Sequence, residues 1–105
     1  MIIASLSITA RLSESHSLKD KRQVVRSLLA GARAKFGVSA AEVGAVDQWQ
    51  TIELGFAIVS ASSAVARSIL QSLENYIVES RPDLLILDCI SDLHVFEGKD
   101  YAEDM

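Results

Sequence analysis

An α+β fold, with elements in the order strand, helix, strand, strand, helix, strand, is what this sequence predicts. Three observations predict it. Residues 2–12 and 51–60 alternate apolar and polar side chains, the period of a half-buried strand. Residues 18–36, and the stretch that runs up to Pro82, instead repeat apolar side chains every three or four positions, the period of a helix with one buried stripe. The chain has 105 residues, half of them hydrophobic and 23% charged, which suffices for one packed domain and excludes wholesale disorder.

In the first strand Ile2, Ala4, Leu6, Ile8, Ala10 and Leu12 share one face, and Ser5, Ser7, Thr9 and Arg11 share the other. No basic segment precedes this apolar start, so it reads as a strand rather than a secretion signal. Ser17 can cap the next helix, with Asp20 near the positive end of its dipole. Leu18, Val25, Leu28, Leu29, Ala32 and Phe36 form the apolar stripe, and Gly37 supplies the stop. Val38–Val46 is short and alanine-rich, with Val43 as its apolar anchor, and reads as a second strand. Asp47-Gln48-Trp49-Gln50 is a polar loop, and Thr51–Ser60 returns as the third strand of a hairpin.

Ser60, Ser62 and Ser63 compete to cap the second helix. Its stripe starts at Val65 and Ala66, passes Ile69, Leu70, Leu73 and Tyr76, and ends at Ile77, and Pro82 forbids continuation. Leu84–Phe96 is the last strand, with Leu87, Cys89, Leu93 and Val95 in phase. The domain spans 1–97, and 98–105 is an acidic tail without periodicity, expected to be mobile. Two right-handed crossovers around a central hairpin close this order into a four-stranded antiparallel sheet with both helices on one face. That is the ferredoxin-like βαββαβ arrangement.

Chemistry is sparse. His16 and His94 have no partners at metal-ligand spacing, and Cys89, the one cysteine, falls in phase with core residues, where a thiol behaves as a small hydrophobe. The five glycines are scattered and make no phosphate loop. The expectation is a non-catalytic protein without a cofactor or bound metal. No apolar run approaches the roughly 20 residues that span a bilayer, so no membrane partner is expected. The open sheet face should show Ser5, Ser7, Thr9, Glu53, Gly55 and Ala57 and no aromatic ring, which argues against base stacking on the sheet. With Ile3, Val59, Ile86 and Ile90 added, the same face suits a partner or a second copy of the chain.

Charge singles out the first helix. The chain is acidic, with net charge −4, yet seven Lys or Arg lie between Arg11 and Lys35 against two acids, a local net of +5. Ser17, Lys19, Lys21, Arg22, Arg26 and Arg33 are the candidate contacts for an anion such as an RNA phosphate, beside a helix N-terminus whose free N–H groups favour negative charge. The same stems serve equally well to cover core edges with wet heads. Asp47, Trp49 and Gln50 are the candidate partner contacts, since the sole tryptophan sits in a polar loop where it either anchors a partner or folds back over the core.

These segments also carry a resemblance. Ser17-Leu18-Lys19-Asp20-Lys21-Arg22, Val38-Ser39, Ala41-Glu42-Val43-Gly44, Asp47, Trp49-Gln50, Leu54-Gly55 and Val59-Ser60, in this order, resemble the YlxP-like family of small bacterial proteins of unknown function. The resemblance covers about residues 1–96, and departs at Glu53, where the family pattern has a small apolar residue. It implies a ferredoxin-like fold and a cytoplasmic setting, and it carries no catalytic residues over. Genes of the family often neighbour those of translation initiation factor two and ribosome-binding factor A, which implies ribosomal RNA or the small ribosomal subunit as partner. A protein–protein module or homodimer, using the open sheet face and the Trp49 loop, is the alternative.

Overall fold

The computed structural model describes residues 1–13 and 15–97; the tail expected at 98–105 lies outside the described residues. Six elements follow in the anticipated order: β1 (Ile2–Leu12), α1 (Leu18–Phe36), β2 (Ser39–Gly44), β3 (Thr51–Ser60), α2 (Ser63–Ser80) and β4 (Leu84–Val95). The sheet is antiparallel in the order β2-β3-β1-β4, the ferredoxin-like topology. β1 is central because every second residue, from Ile2 to Leu12, is apolar and buried under the helices. It pairs with β3 from Ile2 opposite Ser60 to Arg11 opposite Thr51, and with β4 from Ile2 opposite Val95 to Leu12 opposite Leu84.

Both helices begin and end on local signals. Ser17 Oγ accepts the Asp20 N–H at 3.1 Å, and Ser62, among the three competing serines, accepts from Val65 at 3.2 Å. Gly37 stops α1 at φ 65°, a left-handed conformation that favours glycine, and its N–H bonds the Arg33 carbonyl. α1 packs on β2 and α2, and α2 covers β1, β3 and β4. Leu6, Ile8, Leu28, Leu54, Leu73 and Ile77 lie at the centre of the core.

Four details differ from the sequence expectation. Val43 does not anchor β2 in the core: it is exposed on the open face, laid over Gly55, where an added Cβ would come within 2.8 Å of its methyl carbon. Val38, just before the strand, is the buried residue instead. Val65 at the start of α2 is exposed, because it lies one residue, about 100° of helix rotation, off the buried stripe of Ala66, Leu70, Leu73 and Ile77. In β4 the register slips between Thr9 and Ala10: Thr9 faces Asp88 but Ala10 faces Ile86, so Leu87 is the extra residue of a β-bulge. The slip turns Ile86 to the helix side, against the core, and leaves Leu87 exposed. Val95 is exposed as well.

Candidate nucleic-acid interface

The first turn of α1 is built by short local contacts. Ser17 caps it, Asp20 Oδ2 accepts the His16 N–H at 3.1 Å, and the buried Ser15 donates its hydroxyl to the Ser17 carbonyl at 3.0 Å. Asp20 therefore places its own carboxylate beside the positive end of the helix dipole.

Lys21 is the largest departure from expectation. Its side chain is 1% exposed, so it is no surface contact for an anion. Its Nζ lies 3.0 Å from Glu42 Oε2 on β2, donates to the Ala45 carbonyl, and approaches the Val46 carbonyl at 3.5 Å. Its partnership with Glu42 is an ion pair rather than an aligned hydrogen bond. The cause is helical phase: Lys21, Val25, Leu28 and Ala32 share one stripe, and all four are buried. Burying an ammonium group is tolerable only with a counter-charge and acceptors in place, and this site supplies both.

Arg33 is also engaged, though it stays exposed: its Nη2 donates to the Ala40 carbonyl at 2.5 Å and ties the last turns of α1 to β2. That bond fixes which way the basic stripe faces. Arg22, Arg26 and Arg33 lie on one flank of the helix. Gly31, on the opposite flank, faces the Tyr76 ring of α2. The basic flank thus looks away from α2, over the outer edge of β2. Lys19, Arg22 and Arg26 are exposed there, and among the described residues none of them forms an ion pair or hydrogen bond. They rise about 10 Å along the helix axis from first to last.

The hairpin loop closes the same end of the molecule. Ala45 turns the chain at φ 53°, Gln48 N–H bonds the Ala45 carbonyl at 3.0 Å, and the Leu12 N–H bonds the Gln50 carbonyl at 2.7 Å. Trp49 is 48% exposed, and Asp47 and Gln50 are exposed beside it. The structure therefore brings Lys19, Arg22 and the Trp49 loop to one end of the fold, with Lys21 as the link between them. Arg33 stands at the other end of α1.

A cavity of about 540 Å³ lies elsewhere, between α2 and β4, where Arg67, Glu74 and Asp92 surround a floor of Leu6, Leu70 and Leu93. Cys89 is half-buried close by, and burial, a hydrogen bond to Glu74 and the nearby carboxylates push its thiol up to about 11. A thiol held protonated at neutral pH is a poor nucleophile. Among the described residues no group of three His, Cys, Asp or Glu gathers to hold a metal, and no helix is long and apolar enough to cross a membrane.

Comparison with known proteins agrees with this architecture. A solved ferredoxin-fold protein of de novo design, LFR1 1, superposes with a TM-score of 0.58 at 13% identity over 97% of this chain and 93% of that one. A candidate antibiotic biosynthesis monooxygenase from Chloroflexus aurantiacus J-10-fl superposes with a TM-score of 0.55 at 16% identity, over 92% and 97%. Likeness at such identities shows the fold alone. In sequence, the chain is 37% identical over 71 residues to the "Uncharacterized protein YlxP" of Bacillus subtilis (strain 168), covering 68% of this chain and 76% of that protein. The family model described as "Protein of unknown function (DUF503)" matches residues 3–90, and the chain belongs to that family.

Proposed function

We propose that this protein is a non-catalytic accessory factor of the cytoplasm that contacts RNA phosphates, on the small ribosomal subunit, through the outer flank of α1. The observation that carries the reading is the set of three exposed cations, Lys19, Arg22 and Arg26, on one flank, while the neighbouring Lys21 and Arg33 are engaged within the fold. Lysine or arginine heads held in water along about 10 Å of helix suit a chain of negative charges. The company kept by genes of the YlxP-like family points the same way. A fluorescence titration against small-subunit particles tests it. Binding should weaken with salt, with a slope of log affinity on log salt of about −2 for three phosphates of a single strand. It should be lost when Lys19, Arg22 and Arg26 are all changed to Glu. Absence of binding at low salt, or binding untouched by the triple change, refutes the reading.

A second reading has its own observation. Val43, Val59, Leu85, Leu87 and Ile90 each stand more than half exposed on the open sheet face, away from the helices. Such a face suits association with a second copy or another protein.

A further inference from the structure

We propose that the basic flank of α1 and the Trp49 loop form one site for single-stranded RNA, with an unstacked base laid on the Trp49 indole while phosphates follow Lys19, Arg22 and Arg26. The inference rests on the phosphate reading above and adds the class of RNA.

The first support is juxtaposition. Lys19 and Arg22 flank Lys21 in the opening turns of α1, and Lys21 Nζ donates to the carbonyl of Ala45, where the chain enters the loop. The Leu12 N–H holds the other side of the loop through Gln50. The indole is thus carried on a segment tied to the framework at both ends, at the same end of the fold as Lys19 and Arg22. A pre-positioned ring loses little freedom when a base stacks on it.

The second support is display. Trp49 keeps about half its surface in water, between the exposed Gln48 and Gln50, and among the described residues no aromatic ring packs against it. An exposed indole at the same end of the fold as a set of cations is the pairing that single-strand binders use: aromatic faces accept any base, while a positive track follows the backbone. A duplex hides its base faces in the stack, so this pairing favours unpaired RNA. The third support is direction. Arg33 lies beside Ala40 and Lys21 beside Ala45, so α1 and β2 run antiparallel and the cation flank leads towards the loop rather than away from it. Asp20, next to Lys19 in the first turn of α1, and Asp47 in the loop are the opposing charges at this end of the fold.

Trp49 is the only tryptophan, so intrinsic fluorescence reports on it without labelling. The probes are a 12-nucleotide oligouridine and a blunt RNA duplex of the same length. Oligouridine should quench the wild-type emission. In anisotropy titrations Trp49→Ala should lower affinity for oligouridine about 5- to 150-fold, the range for one stacked base. Trp49→Phe should restore most of it, neither change should alter duplex affinity, and Asp47→Asn should tighten binding of both probes. Quenching needs no variant, so its absence while oligouridine binds overturns the inference even if Trp49→Ala fails to fold. If Trp49→Ala binds oligouridine like the wild type, while the Lys19, Arg22 and Arg26 to Glu variant does not, stacking is overturned and the phosphate reading stands. If the wild type binds neither probe nor small-subunit particles at low salt, both are overturned.

Discussion

Lys21 joins three parts of the chain at one atom, because its Nζ meets the Glu42 carboxylate of β2 and the carbonyls at the start of the hairpin loop. Removing one partner of a buried pair leaves the other without its counter-charge, so Lys21→Ala should cost about 3 kcal/mol in urea denaturation. Changing both partners to apolar residues, Lys21→Met with Glu42→Leu, should recover most of that loss. Lys19→Ala, two positions away on the wet side, should move stability by less than about 0.5 kcal/mol. Equal effects at 19 and 21 would contradict the buried pair. The sequence does contain the signal for this, since position 21 is in helical phase with Val25, Leu28 and Ala32. Charge drew attention to the residue, whereas phase decides where its side chain goes. A lysine on an apolar stripe implies an acid nearby, but which acid is a long-range fact that local spacing does not contain. Ser17 and Gly37 were legible for the opposite reason, because capping and left-handed stops are made within a few residues.

Among the elements, β4 shows how far alternation can be trusted. A period of two predicts faces only while pairing stays in register, and one inserted residue exchanges them. Because the extra residue is Leu87, Ile86 packs on the core and Leu87 meets solvent. Ile86→Ala should therefore cost about 1–2 kcal/mol, below the range for a fully buried isoleucine, and Leu87→Ser less than about 0.5 kcal/mol. Chemical denaturation of the two variants decides it, and the reverse ranking would mean that the strand pairs without a bulge. The bulge left no local mark in the sequence, since Leu84–Leu87 is apolar throughout and offers no alternation to break. β1 and β3, with strict alternation, were readable to their ends.

At the scale of the whole molecule, the two helices cover one side of the sheet, and among the described residues nothing covers the other. If that bare face is an interface, sedimentation equilibrium at micromolar concentration should give a dimer for the wild type and a monomer for Val59→Glu with Ile90→Glu. A wild type that stays monomeric, with an unchanged sedimentation profile for the variant, removes the second copy as the occupant of that face. The topology was legible as a whole because element order and the right-handed crossover rule leave few alternatives. The candidate site was legible in part: the cations and the tryptophan stood out singly, but their placement at one end of the fold depends on Lys21 reaching Ala45. The central place of β1 has a further consequence, for the nascent chain. Its two neighbours are β3 and β4, so β1, made before either of them, finds its last partner only when residues 84–95 have emerged. At about 5–20 residues per second, that interval is on the order of 5–20 seconds, during which one edge of an alternating, β-prone segment stands unpaired on the ribosome.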